Sequence, residues 1–342
     1  MNEQQYLLRC IQLAKLGQGH VAPNPMVGAV IVHGDQIIGE GWHHKFGSPH
    51  AEIDAIKNVA VESLLTASTL FVNLEPCCHE GKTPPCTKYI ISKGIPRVVI
   101  GMTDPYSEVN GAGIRELQTA GVQVITNVCE AECRDLNKRF ITFHRQNRPY
   151  IILKWAESAD GFIGKENEKI TISNLLSQLM VHRWRSEEAG VLVGTKTVLT
   201  DNPQLNTRQW FGNQPVRITI DKNNVIPGSA YILDGKQPSL IYTLSKQVDS
   251  YNVTYEKIDK DQDLLPYIMK NLYQRNIQSI LVEGGAKLLQ SFIDAHLYDE
   301  VRVFHSPLLL YSGINAPTLP DGALSEEMIG NNRLTVIKCS VE

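Results

Sequence analysis

The sequence has no apolar run approaching the ~18 residues that a membrane-spanning helix requires, and it opens on Met1-Asn2-Glu3-Gln4-Gln5, too polar for a secretory leader. A cytoplasmic protein with no membrane partner is therefore expected. An excess of positive charge is missing too: 33 Lys and Arg stand against 36 Asp and Glu, a net charge of −3. Nothing in that balance provides the basic footprint that nucleic acid calls for. Seven cysteines, three of them inside ten residues, do not make a disulfide framework and read as metal ligands and free thiols in a reducing compartment. No G-x-G-x-x-G follows a strand pattern, which argues for a cofactor fold other than the usual dinucleotide fold. With 342 residues the chain fits two domains, each able to bury its own core.

What is present is concentrated in two short stretches. His50-Ala51-Glu52 has H-x-E spacing, and Glu75-Pro76-Cys77-Cys78-His79-Glu80-Gly81-Lys82-Thr83-Pro84-Pro85-Cys86 is rich in cysteine. In hydrolytic deaminases one His and two thiolates hold a zinc ion that lowers the pKa of a bound water, and a carboxylate that is not a ligand carries the protons. His50 and Glu52 match the first half of that pattern, and Pro76-Cys77 opens the second. The general form P-C-x-x-C would place its second Cys at Glu80, so a longer loop closing at Cys86 is needed. Cys78 and His79 are rival ligands on spacing alone. A lone His-x-Glu is usually a surface or capping pair, and clustered thiols can be buried apolar groups; the combination is what points to a metal.

Leu7, Leu8, Ile11, Leu13, Ala14 and Leu16 give an amphipathic first helix ending at Gly17. A turn at Ala22–Gly28 leads to strands over 27–32 and 37–42. Ser48-Pro49 signals a helix from His50 to about Val59, and Pro84-Pro85 another through Ser92. Strands at 69–74, 97–101 and 122–125 alternate with helices at 113–120 and 130–143, the pattern of a three-layer α/β domain. The polar stretch His144–Pro149 marks a boundary, giving domains 1–145 and 146–342. Beyond it come a strand over 149–156, a turn at Ser158–Gly161, a helix capped by Ser173 with Leu176, Leu179, Met180 and Trp184 inward, a strand over 191–194, and the strand and Gly-Gly turn at 279–286. Residues 307–342 carry no motif.

The run Leu74–Cys86 closely resembles the deaminase half of the bifunctional deaminase–reductases of riboflavin biosynthesis, whose pattern reads L-E-P-C-S-H-x-G-[RK]-T-P-P-C. The resemblance implies His50, Cys77 and Cys86 as ligands of one Zn2+ per chain, Glu52 as proton shuttle and Asn24 as a substrate contact; Cys78 stands where the family has Ser. Asp104 and Asn110 fall in a region that lines the family's pocket. The second half matches as well, at Pro149–Gly161 (P-Y-[IV]-x-x-K-x-A-x-S-x-D-G), at Gly194–Arg208 (G-x-x-T-V-x-x-D-[DN]-P-x-L-x-x-R) and at Val282–Gly285 (V-E-G-G). This implies a dihydrofolate-reductase-like α/β domain after a cytidine-deaminase-like one. It implies NADPH contacts at Ala156, Thr197, Asp201, Gly285, Ala286, Lys287, Leu288, Leu289, Gln290 and Ser291, and substrate contacts at Arg185, Leu205, Arg208 and Glu283.

By that resemblance the chain deaminates 2,5-diamino-6-ribosylamino-4(3H)-pyrimidinone 5′-phosphate and then reduces the ribosyl group to ribityl. Lys154, Asp201 and Glu283 are candidate proton donors for the second step. The partner is this small pyrimidine ribose phosphate, not nucleic acid, and a homo-oligomer is expected. The segment Lys165–Ile170 is shorter than in the family and lacks its Trp, and Lys222 replaces a frequent Ser. The rivals are a nucleoside or nucleic-acid deaminase with an unrelated second domain, and a zinc-stabilised binding protein without turnover.

Overall fold

In the computed structural model, which describes residues 2–79, 85–105, 110–166 and 168–339, the chain divides into two units, Met1–Asn147 and Arg148–Glu342. The first unit contains, in order, α1 (Glu3–Ala14), β1 (Gly28–His33), β2 (Gln36–Trp42), α2 (Ala51–Lys57), β3 (Ser68–Val72), α3 (Cys86–Ser92), β4 (Arg97–Ile100), α4 (Ala112–Thr119), β5 (Gln123–Ile125), α5 (Glu130–Leu136) and α6 (Lys138–Gln146). Its sheet has the order β2-β1-β3-β4-β5. The first three strands are antiparallel and β3, β4 and β5 run parallel. Apolar residues alternate across β1: Ala29 and Ile31 join Ala51, Ala55, Ile90 and Leu117 on one face, while Val30 and Val32 meet Leu7, Cys10 and Leu13 of α1 on the other. Two buried faces make three layers.

The ends of the elements are set locally. Asn2 caps α1 by accepting from Gln5 N–H at 2.9 Å, with the Gln5 side chain returning the bond. The helix expected over 130–143 is broken at Asn137 because that buried side chain leaves the helix pattern to serve another segment. It accepts from Met26 N–H at 2.8 Å and donates to Met26 C=O at 3.0 Å. Ser48 does not cap α2; the N-cap is His50 itself, in extended backbone, while Ser48 Oγ donates to Lys45 C=O at 2.7 Å.

The second unit contains β6 (Tyr150–Glu157), β7 (Phe162–Gly164), α7 (Leu175–Glu187), β8 (Gly190–Gly194), α8 (Thr195–Asp201), β9 (Val216–Ile220), β10 (Ser239–Thr243), β11 (Val253–Lys257), α9 (Leu264–Gln274), β12 (Ser279–Val282), α10 (Ala286–Asp294), β13 (Glu300–His305), β14 (Ile314–Asn315), β15 (Ala323–Ile329) and β16 (Asn332–Lys338). The main sheet runs β11-β10-β9-β8-β12-β6-β13-β16-β15. It is parallel through β13 and ends in an antiparallel hairpin, β15–β16. Strand β12 enters between β6 and β8, so the carboxyl ends of these three strands lie side by side, the region where open α/β sheets bind ligands. Helix α7 corrects two expectations. Asn174, not Ser173, caps it by accepting from Ser177 N–H at 2.8 Å. Its inner face is Ser177, Val181 and Trp184 with Met180 packed partly against the core, so Trp184 and Met180 face inward as expected while Leu176 is 52% exposed.

Gly28 opens β1 against α1, where a Cβ would lie 2.1 Å from Cys10 O and 2.8 Å from Ala14 N. Both neighbours are backbone and cannot swing aside. Gly28→Ala is expected to destabilise the first unit by roughly 1–3 kcal/mol, read as a lower denaturant midpoint for its unfolding transition, with the second unit's transition unmoved.

Candidate active sites

The first site forms where β3 ends and α2 and α3 begin. His50 is the residue before α2, Cys77 lies in the loop after β3, and Cys86 is the first residue of α3. Their ligating atoms all lie within 4.8 Å of one another. His50 Nδ1 is 3.5 Å from Cys77 Sγ and 3.3 Å from Cys86 Sγ. Zinc bonds of about 2.3 Å to sulfur and about 2.0 Å to nitrogen, set tetrahedrally, separate such donors by about 3.6 Å, so this group fits a zinc ion with a fourth position open. A hydrogen bond from Cys86, and then His50, draws the Cys77 thiol down to about 4, while the same bond pushes Cys86 up. His50 rises to about 9 through its hydrogen bond to Cys77. A divalent cation takes the place of the protons these groups hold for one another.

Glu52, 3% exposed, sits in the first turn of α2. Burial pushes its carboxyl up to about 7, against the nearby His50, which draws it down. Among the described residues Cys78 and His79 are not part of the close group, and Cys78 is raised, first by burial. The stretch 80–84, with the Pro84 helix start and Lys82, and 106–109 lie outside the described residues.

The surroundings of this site hold residues that the sequence reading did not single out. Glu75 is 3% exposed and accepts four backbone N–H groups, from Asp104 at 3.1 Å, Gly111 at 2.9 Å, Gly113 at 3.0 Å and Ile114 at 3.2 Å. It ties the segment after β4 to the ligand loop. Thr87 N–H donates to Cys77 C=O at 3.2 Å and the Thr87 hydroxyl bonds Glu116 at 2.6 Å. Asn24 meets His43 at 3.0 Å, and His43 packs edge-on against His50. Asp104 is buried and Asn110 exposed. His43 directly follows β2, a position that no local sequence pattern marks out, and only the contact with Asn24 reveals it.

The second site lies at the carboxyl ends of β6, β8 and β12. Lys154 on β6 is lowered by burial, against Glu283 which raises it. Arg185 Nε and Nη2 donate to both oxygens of Glu283 at 2.6 and 2.7 Å, and Nη1 donates to Asn206 C=O at 3.1 Å. Arg208, exposed, donates to Asn206 Oδ1 at 3.0 Å, so both arginines converge on Asn206. His182 Nδ1 reaches Asn206 C=O at 2.8 Å, and burial holds His182 down to about 4. Burial works against the Glu283 charge, but Arg185 and Lys154 outweigh it and keep the carboxyl below its ordinary value.

The expected contacts divide into open and closed ones. Thr197 adjoins the glycine turn: a Cβ on Gly285, whose φ is 77°, would lie 3.4 Å from Thr197 Oγ1. Ala156, Ala286 and Lys287 are partly or fully exposed. Leu288 packs partly, and Leu289 wholly, into the core. The Gln290 amide accepts from Thr318 N–H and donates to Asp294, and the Ser291 hydroxyl donates to Leu288 C=O. The side chains of 289–291 therefore face away, and the unpaired N–H groups belong to the first residues of α10. Leu205 turns inward, 2% exposed with φ 51°, so its side chain packs in the core, and its C=O accepts from the Gln237 side chain at 3.2 Å. Asp201, raised by burial, ends α8. Asn167 of the shortened 165–170 segment lies outside the described residues.

A metal-fitting site in one unit and a charged cluster at the carboxyl ends of a parallel sheet in the other are the parts of a two-domain deaminase–reductase. Comparisons with known proteins identify the parts. Residues 1–102 match the cytidine and deoxycytidylate deaminase zinc-binding region, and 149–340 match the RibD C-terminal domain. The riboflavin biosynthesis protein RibD of Aquifex aeolicus is 37% identical over 332 residues, 95% of this chain and 93% of that protein. RibD of Bacillus amyloliquefaciens is 37% identical over 94% of this chain and 88% of its own length. Among solved structures, a diaminohydroxyphosphoribosylaminopyrimidine deaminase/5-amino-6-(5-phosphoribosylamino)uracil reductase of Thermotoga maritima superposes with a TM-score of 0.90 at 36% identity, covering 98% of both chains. RibD of Acinetobacter baumannii gives 0.90 at 31% identity over 99% of both. The chain belongs to the RibD family of riboflavin biosynthesis proteins, with a zinc-binding deaminase domain followed by a reductase domain. No helix among the described residues is long and apolar enough to cross a membrane.

The Arg185–Glu283 pair gives a stability prediction with a definite sign. The side chains are 11% and 6% exposed, and Arg185→Met leaves a buried carboxylate short of its partner, expected to destabilise the second unit by about 3 kcal/mol at pH 7. Because the Glu283 pKa is depressed in the folded state, its contribution is full above the unfolded value of about 4.3 and lost as pH falls through the folded one. Melting curves across pH should show the gap between wild type and variant narrowing below about pH 4.

Proposed function

We propose that the first unit removes the 2-amino group of 2,5-diamino-6-ribosylamino-4(3H)-pyrimidinone 5′-phosphate, and that the second reduces the product's ribosyl group with NADPH. The observation that carries the first half is Glu52: a carboxyl only 3% exposed, in the first turn of the helix that His50 caps, beside a three-donor metal site. A carboxyl so placed can take a proton and return it.

His50, Cys77 and Cys86 would hold zinc, which supplies the Lewis acidity that makes water nucleophilic at neutral pH. Glu52 takes the water proton and delivers it to the departing amine. Asn24 binds the pyrimidine edge. In the second unit NADPH supplies the hydride. Its diphosphate is read onto the N-terminal amides of α10 behind Gly284 and Gly285, whose dipole favours an anion, with Thr197 beside them. Ala156 and Asp201 complete the proposed cofactor contacts.

The hydride needs one balancing proton. Glu283 is held ionised by Arg185, which removes it as a donor. Lys154, an ammonium whose pKa burial lowers, is the better acid, and we assign the proton to it. Arg208 is exposed and, bonded to Asn206 through Nη1 alone, has further N–H groups on its planar fork with which to grip the substrate phosphate, while Arg185 orients Glu283 and Asn206.

Purified zinc-loaded protein given the diaminopyrimidinone phosphate is expected to release ammonia without NADPH, then consume NADPH once it is added. Glu52→Gln should lower ammonia release by at least about a hundredfold with zinc retained. Lys154→Met should abolish NADPH oxidation and leave ammonia release intact. Ammonia without NADPH oxidation in the wild type would remove the second half of the proposal, and neither signal in zinc-bound protein would favour a binding role.

A further inference from the structure

The Asn24 carboxamide is held in one of its two orientations by a single ring. His43, 3% exposed, sets its ring between groups of fixed polarity. Nδ1 lies 3.0 Å from Pro49 C=O, which can only accept. Its other neighbour, Ser48 Oγ at 3.5 Å, already donates its proton to Lys45 C=O at 2.7 Å and so can also only accept. Nδ1 therefore carries the ring proton, and in a neutral imidazole Nε2 is then bare. Asn24 Nδ2 is 3.0 Å from that bare nitrogen, so an amide N–H meets the ring and Oδ1 turns the other way. Pro49 immediately precedes His50, and the two imidazoles meet edge-on with centroids 5.5 Å apart at 81°. One ring thus joins the metal-ligand segment to the Asn24 turn.

We propose that His43 is a positioning residue that locks Asn24 with its carbonyl oxygen and one remaining N–H presented to substrate, selecting a pyrimidine edge that carries an N–H donor beside an acceptor. The selectivity rests on the deaminase reading; the His43–Asn24 arrangement does not. Had the amide been turned over, its oxygen would face the Nε2 lone pair, and the site would offer two donors to an edge that is itself rich in N–H groups.

Two-bond 1H–15N spectra of full-length, zinc-loaded protein labelled at histidine read the tautomer directly. One ring, assigned by its disappearance in His43→Gln, should show a protonated Nδ1 and a bare Nε2 whose resonance moves in Asn24→Ala. An Nε2–H tautomer, or an Nε2 resonance indifferent to Asn24→Ala, would overturn the proposal. In steady-state ammonia release, His43→Phe should raise KM for the diaminopyrimidinone phosphate about tenfold with a smaller change in kcat, as loss of one oriented hydrogen bond predicts, and with zinc content unchanged. An unchanged KM, or loss of zinc in that variant, would sink the positioning role. If the wild type releases no ammonia, the deaminase reading fails, and the spectra still decide how His43 holds Asn24.

Discussion

A single buried carboxylate holds the first site together. Glu75 accepts four backbone N–H groups from three separate points in the segment 104–114, and its own N–H donates to Met102 C=O at 2.9 Å. Those donors include the start of α4, whose first amides have no partner within the helix, so the charge answers several unsatisfied groups at once. The fit is tight: a Cβ on Gly113 would come 2.2 Å from Pro76 O. Because Glu75 is two residues before Cys77, whatever fixes its backbone also fixes a metal ligand. A lost bond here would leave a buried charge short of donors, at a cost of about 1–3 kcal/mol or more, and would loosen the ligand loop with it.

The second unit solves the same problem with ion pairs instead of amides. Arg148 donates to both oxygens of Asp299 at 2.6 and 2.8 Å, and Asp299 also accepts from Ile151 N–H at 2.7 Å. This fixes where β6 starts against β13. At the other end of β6, Trp155 Nε1 and His305 Nδ1 meet the two oxygens of Glu157, each at 2.9 Å. The strand that carries Lys154 and Ala156 is therefore pinned at both ends, and its side chains stand on a rigid mount.

Much of this was legible in the sequence where chemistry restricts residue type. A metal and a proton carrier demand His, Cys and Glu, and His50, Glu52, Cys77 and Cys86 could be picked out before any fold was known. Glu75 lay in the same motif, yet its task is to bind backbone amides of a segment about thirty residues away, which no local pattern reveals. Leu205 and Leu289 show the opposite failure: they fall inside motifs that face ligands, but a positive φ in one and the helical period in the other send their side chains to the core. The hairpin β15–β16 went unread because β15 is an edge strand exposed along nearly its whole length, so it lacks the alternation that half-buried strands display. Asn137 hid its helix break because Asn is tolerated within helices, and only its bonds to Met26 explain the interruption.

Two buried glutamates, one in each unit, make the case that environment and not residue type assigns chemical roles. Glu52 and Glu283 have side chains almost equally removed from water, and burial by itself raises both. Near Glu283 stand the Arg185 guanidinium, bonded to both carboxyl oxygens, and the Lys154 ammonium, and their attraction wins. Around Glu52 the cationic influence of His50 is offset by the anionic character of Cys77, and burial wins. Such divergence separates acid–base groups from charge-bearing ones in a working site. Glu52 is left poised to exchange a proton, whereas Glu283 stays an anion that can orient a ligand's hydroxyls and stabilise positive charge. That same anion opposes, without overcoming, the burial that lowers the Lys154 ammonium, so a fixed anion and a cation eased toward giving up its proton stand side by side in the second unit.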